Sequence, residues 1–159
     1  MVGVRGVLID NWRRAGRISF LAVDEKAHMS AGGETIAKKI LIVDDEAGYT
    51  RAVKYALEKE GYSVLTASNG LQGLMTAQKE DVDLLILDVM LPGLDGYEVC
   101  NRLRSDPITA ELPILMLSAK GQDSDRTTGL QVGASEYLSK PIENATLLGK
   151  ISSWLGKKG

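Results

Sequence analysis

Five side chains able to do chemistry stand where short apolar runs stop. Asp44 and Asp45 follow the run at 40–43, Asp88 follows 84–87, Ser118 follows 114–117, and Lys140 comes just after Tyr137 and Leu138. If these runs lie side by side, three carboxylates, a hydroxyl and an ammonium converge on one pocket. Carboxylates held close together repel, and each resists ionisation unless a cation is present. Hard oxygen ligands with room for water suit Mg²⁺, which takes one or two carboxylates together with phosphate oxygens. An aspartate whose charge is offset in this way is able to attack a phosphoryl group and form an acyl phosphate. Lys140 would then pair with the added oxygens, and Ser118 would hydrogen-bond to one of them.

Short parallel strands are the elements that would bring these residues together. The run at 40–43 is continuously apolar, as a strand buried on both faces requires. Tyr49, Ala52, Val53, Ala56 and Leu57 then recur on one helical face, ended by Gly61. Residues 62–67 read as a second strand. Asn69 caps a helix whose apolar stripe is Leu71, Leu74 and Met75. Strand three is 84–87, and its loop through Pro92, Gly93 and Gly96 leads to a helix with Tyr97, Cys100 and Leu103, closed by Pro107. Strand four is 114–117. Residues 123–132 are helical but weakly patterned. Tyr137 and Leu138 mark strand five, and Leu147, Leu148, Ile151, Trp154 and Leu155 form a last helical stripe, taken with Cys100 as core. Five strands alternating with five helices imply βαβ units, right-handed crossovers and a doubly wound α/β fold with a five-stranded parallel sheet. In such sheets the site lies beyond the carboxyl ends of the strands. With strand order 2-1-3-4-5, the ends of strands one, three and four meet at the centre.

Composition removes other chemistries. The chain has 159 residues and a formal charge of −2, so it has no basic field for nucleic acid or anionic lipid. Cys100 is the single cysteine, which excludes an intrachain disulfide and a cysteine zinc cluster, and His28 is the single histidine, which argues against a Ser-His-Asp or Cys-His mechanism or a multi-histidine metal site. No apolar run approaches a membrane span, and the arginines near the start precede too weak an apolar stretch for a secretory signal. A reducing, cytoplasmic compartment is expected. Residues 1–37 show no sustained periodicity and end in a Gly-rich stretch; they are expected to be an N-terminal extension, disordered or translated from an early start with Met29 the initiator. Residues 38–159 form the folded domain.

The strings Ile40-Leu-Ile-Val-Asp-Asp-Glu46, Leu87-Asp-Val-Met-Leu-Pro-Gly-Leu-Asp-Gly96 and Leu138-Ser-Lys-Pro141 closely resemble the receiver domain of two-component response regulators, across about residues 38–157. That resemblance implies a flavodoxin-like or CheY-like (βα)5 sandwich. It implies Asp88 as the phospho-accepting aspartate, and Asp44 and Asp45 as the acidic pair that binds Mg²⁺, Asp45 directly. The backbone carbonyl of Met90 would be a further ligand. Ser118 would be the hydroxyl that swings toward the phosphoryl group, Lys140 its ion-pair partner, Tyr137 the aromatic switch that turns inward, and Lys140-Pro141 a cis peptide.

The expected function is that of a single-domain response regulator. A sensor histidine kinase or histidine phosphotransfer protein would supply the phosphoryl group, and output would pass to a protein effector on the face of helix four, strand five and helix five. No direct nucleic-acid contact and no membrane insertion are expected, because no output module follows in this chain. Two alternatives are an aspartate-nucleophile phosphohydrolase of the haloacid-dehalogenase type, which would normally carry an acid where Met90 stands, and a receiver-like scaffold that is never phosphorylated. The segment at 133–136 has Ser135 and Glu136 where the family often has two acids, and reads as a surface turn. Neither Met90 nor Lys120 would orient an attacking water well, so the acyl phosphate is expected to be long-lived.

Overall fold

The continuous apolar runs become the central strands of a sheet, where β-branched and leucine side chains are covered on both faces. The computed structural model describes residues 36–156; apart from Ile36 and Ala37, the expected N-terminal extension, with Met29, lies outside the described residues. Strand β1 (Lys39–Val43) leads to α1 (Ala47–Lys59), β2 (Ser63–Ala67), α2 (Gly70–Lys79), β3 (Leu84–Leu87) and α3 (Gly96–Ser105). Then follow β4 (Ile114–Ser118), α4 (Asp123–Gln131), β5 (Glu136–Ser139) and α5 (Asn144–Leu155). The sheet order is β2-β1-β3-β4-β5, with every pair parallel.

Alternate residues of each strand face opposite layers. On one side Ile40, Ile42, Leu84, Ile86, Leu115 and Leu117 pack with Val53 and Leu57 of α1 and with Leu147 and Ile151 of α5. On the other, Leu41, Val43, Leu85, Leu87 and Met116 pack with Leu74 and Ala77 of α2 and with Val99, Cys100 and Leu103 of α3. Val43 pairs with Leu87, and Leu87 with Met116, so the three central strands reach their carboxyl ends nearly level. That register brings the residues after β1 and β3 together.

Three helical faces differ from the sequence expectation. In α2, Leu71 and Met75 are 56% and 49% exposed, and the buried face is instead Gly70, Gly73, Leu74 and Ala77. A Cβ on Gly73 would lie 2.7 Å from the Val43 methyls, and one on Gly70 would run into the Leu94 carbonyl. Close approach of the backbone thus took the place of side-chain burial and turned the larger residues outward. Ala52 of α1 also faces solvent. Trp154 is 41% exposed, and its indole N–H donates to Glu136 Oε2 at 2.7 Å. It packs at the rim with a polar partner, as an amphipathic ring does. Cys100 is fully buried, and burial pushes its thiol up to about 11, so it behaves as an inert small hydrophobe. Asn69 caps α2 as expected, accepting from the Gln72 N–H at 2.8 Å.

At the amino end of β4 and β5, Arg104 of α3 ties two loops together. Its Nε donates to Gly133 O at 2.8 Å and its Nη1 to Leu112 O at 2.7 Å, with longer bonds to Ala110 O and Thr109 O. Ser135 Oγ accepts from Arg104 Nη2 and from the Ile114 N–H at 3.0 Å. The segment 133–136 is therefore a half-buried, fully hydrogen-bonded corner rather than a plain surface turn.

Candidate functional site

Backbone pairing continues one residue beyond the central strands and fixes where the polar side chains begin. The Asp44 N–H donates to Ala67 O at 3.1 Å, the Asp88 N–H to Val43 O at 3.0 Å, and the Lys140 N–H to Ser118 O at 2.8 Å. Asp44, Asp88 and Ser118 are buried, while Asp45 is exposed. One carboxylate oxygen from each of Asp44, Asp45 and Asp88 lies within 4.8 Å of the others. Asp44 Oδ1 accepts from the Glu46 N–H at 2.9 Å, and Asp88 Oδ1 from the Met90 N–H at 3.3 Å. Lys140 Nζ reaches into the cluster from β5, 2.8 Å from both Asp44 Oδ2 and Glu46 Oε1 and 3.6 Å from Asp88 Oδ2. Lys140 and Pro141 are joined by a cis peptide bond.

The charges compete. Burial raises the Asp88 carboxyl above the ordinary carboxylate range; Lys140 pulls it down, Asp44 pushes it up, and the Met90 amide and Ser118 hydroxyl favour the ion. The net shift is upward, so the charged form of Asp88 costs more than that of an ordinary aspartate. Burial alone would lower the Lys140 ammonium, but its bonds to Asp44 and Glu46 and the field of Asp88 raise it well above the usual lysine range. The lysine is thus a permanent cation. It also lies 4.5 Å from the centre of the Tyr49 ring, a cation–π contact.

A family model described as the response regulator receiver domain matches residues 40–152. The chain belongs to this family. Curated relatives of the receiver include the alkaline phosphatase synthesis transcriptional regulatory protein PhoP of Bacillus subtilis, 45% identical over 118 residues, which cover 74% of this chain and 48% of that protein. The phosphate regulon transcriptional regulatory protein PhoB of Pseudomonas aeruginosa is 40% identical over 124 residues, 78% of this chain and 54% of that protein. The chain therefore spans about half the length of the curated relatives it matches. Among solved structures, the Vibrio cholerae chemotaxis protein CheY4 is 34% identical with a TM-score of 0.72, covering 76% of this chain and all of that one. The receiver domain of the Pseudomonas aeruginosa sensor histidine kinase PA1611, solved with a magnesium ion coordinated in its active-site cleft, is 30% identical with a TM-score of 0.72, covering 77% of this chain and 100% of that one.

Within this receiver, Asp44, Asp45, Asp88 and Lys140 form one cluster, and the buried Ser118 hydroxyl, which favours the Asp88 ion, accepts from the Lys120 N–H at 3.2 Å. Met90 enters through its backbone, and its side chain is 57% exposed. Tyr137 stands apart from the acids. It is buried at 2% exposure, and its hydroxyl donates to Lys120 O, in the loop that links β4 to α4. Three contributors escaped sequence reasoning. Glu46 shares Lys140 with Asp44, and Tyr49 lies under the same ammonium; both are near the acidic pair in sequence, but their partner is more than ninety residues away. Tyr97 of α3 donates to Asp125 O at 3.2 Å, on the first turn of α4, and burial with the neighbouring Tyr137 raises its phenol far above the ordinary value. Its spacing with Cys100 and Leu103 resembled simple core packing. Among the described residues no helix is long and apolar enough to cross a membrane.

Proposed function

We propose that Asp88 of this receiver accepts a phosphoryl group from the phosphohistidine of a partner sensor kinase or phosphotransfer protein, and that the chain signals through the α4–β5–α5 face. The observation that carries this reading is the Asp88 carboxylate, buried beside two more acids and 3.6 Å from a lysine ammonium. A carboxylate oxygen of Asp88 attacks phosphorus, the phosphorus–nitrogen bond breaks, and its electron pair leaves with the imidazole nitrogen. The product is an aspartyl phosphate. Lys140 and Ser118 face the new oxygens, one as a point charge and the other as a hydroxyl donor.

The oxygens of Asp44, Asp45 and Asp88 fit a hard divalent cation in donor type and spacing, with the Met90 carbonyl as a further candidate. Magnesium held there supplies positive charge that offsets the crowding of these acids and the charge on the transferred group. The magnesium recorded in the PA1611 receiver supports this assignment. Phosphorylation adds roughly −1.5 to −2 of charge. Ser118 and Tyr137 then relay that charge to α4, which buries only Gly129 among its own residues and is held largely by polar contacts. Residues 38–159 make up this unit, and a cytoplasmic setting suits a phosphohistidine donor.

Met90 and Lys120 offer no group suited to aligning a water, so the acyl phosphate decays slowly, and a Met90→Asn variant shortens its lifetime. The central test is intact-mass analysis after incubation with acetyl phosphate and Mg²⁺. One added phosphoryl group, absent from Asp88→Asn, is expected; unmodified wild-type protein would overturn the reading.

A further inference from the structure

Glu46 occupies the N-cap of α1, yet its side chain makes no capping hydrogen bond. Asn69 and Asp95 cap their helices directly, accepting from the Gln72 and Glu98 N–H groups, whereas Glu143 of α5, like Glu46, makes no capping bond. Glu46 instead sends its carboxylate across the site to a lysine 94 residues away. Its own amide donates to Asp44 Oδ1 at 2.9 Å, so backbone and side chain both join the acidic cluster.

That contact decides where the Lys140 ammonium sits. An ammonium has three N–H donors. Two bonds of 2.8 Å run to Asp44 and Glu46, and the Tyr49 ring lies 4.5 Å away, whereas Asp88 is at 3.6 Å, beyond hydrogen-bond distance. The cation is drawn off the residue it would serve. The two restraining acids are unequal, because the Asp44 side chain is 4% exposed and the Glu46 side chain 63%. A solvent-exposed ion pair is weak and easily exchanged. Glu46 is therefore the partner that lets go.

We propose that Glu46 is a positioning residue that parks Lys140 away from Asp88, so that release of the Glu46–Lys140 pair accompanies phosphoryl transfer. This rests on the reading of Asp88 as the acceptor. The exposed carboxylate acts as a counter-anchor, weak enough to yield to a phosphoryl oxygen and strong enough to slow labelling of the resting protein. The pair also spans from the first turn of α1 to the end of β5, so a partner that covers α1 and draws Glu46 aside would hand Lys140 to the acceptor.

The test compares wild type, Glu46→Gln and Glu46→Asp at saturating Mg²⁺. The first variant removes the charge; the second keeps it but withdraws it by one methylene. Both are expected to label with acetyl phosphate about two- to fivefold faster than wild type, the range set by one exposed ion pair. Without phosphodonor or metal, hydrogen exchange of the Lys140 ammonium, read by ¹⁵N-lysine NMR, should speed up in both. Wild-type labelling with neither variant accelerated would overturn the proposal alone. Acceleration confined to Glu46→Gln would also overturn it, because the effect would then be one of bulk charge. Wild-type protein that does not label would overturn the reading of Asp88, and the gate with it.

Discussion

The two sides of the sheet's carboxyl edge are built on different principles. Around Asp44 and Asp88, the strands are buried on both faces and the covering helices approach to backbone contact. A Cβ on Gly96 would lie 2.2 Å from the Asp88 carbonyl oxygen, and α3 buries Val99, Cys100 and Leu103 completely. Around Ser118 and Tyr137, the cover is α4, whose Leu130 is 46% exposed and whose Gly129 rests against the Tyr137 ring. Polar contacts do much of the holding there. Tyr137 reaches Lys120 O, Tyr97 reaches Asp125 O, and Arg126 Nη1 donates to Tyr137 O at 2.8 Å. A site that must fix a carboxylate uses close packing, which tolerates little displacement. A helix that buries little apolar surface of its own depends more on individual hydrogen bonds and opens more easily.

The sharpest way to break this contrast is a truncation on each side. Leu87→Ala, directly before Asp88, should cost about 2–5 kcal/mol in chemical denaturation. Leu130→Ala on α4 should stay within about 0.5 kcal/mol. Equal losses would mean that α4 is as firmly packed as the acid side. Next in size is Gly96→Ala, where the added methyl meets backbone rather than a flexible side chain. It should cost about 1–3 kcal/mol and slow acetyl phosphate labelling through displacement of Asp88.

A third experiment probes the strain on the rigid side through pH. The folded-state pKa of Asp88 is raised, so folded protein binds this proton more tightly than unfolded protein does. Without divalent cation, stability is therefore lost as pH rises from the ordinary aspartate value through the elevated folded one. Asp88→Asn should melt higher than wild type at neutral pH. The difference should close as pH falls below the ordinary aspartate range, and shrink when Mg²⁺ is added. A variant melting lower at neutral pH would show that Lys140 outweighs burial and Asp44. A more local effect belongs to Tyr97→Phe, which deletes one hydrogen bond worth about 1 kcal/mol. Amide hydrogen exchange should quicken across 122–131 while α3 is unchanged. Exchange rising equally in both helices would deny α4 its separate attachment.

What could be read from the chain follows the same division. Asp44, Asp88, Ser118 and Lys140 were legible because each ends an apolar run, and parallel pairing brings such ends together whatever the side chains are. The strand order and the helix–strand alternation were legible for the same reason. The outward turn of Leu71 and Met75 was not, because a helix that buries glycines has no hydrophobic stripe on its buried face. The Glu46–Lys140 pair was hidden by its separation in sequence, and Tyr97 by a period that matches ordinary core packing. Trp154 misled because its ring is apolar while its N–H needs a partner at the rim.

Arg104 gives α4 a mechanical character of its own. Its bonds to Gly133 O and Ser135 Oγ clamp the chain just after α4 to the loop before β4, which it also grips through Leu112 O, Ala110 O and Thr109 O. The helix therefore has one fixed bearing and one end fastened by phenol hydroxyls. Val132 is the end next to that clamp, and Gln122 is the end farther from it.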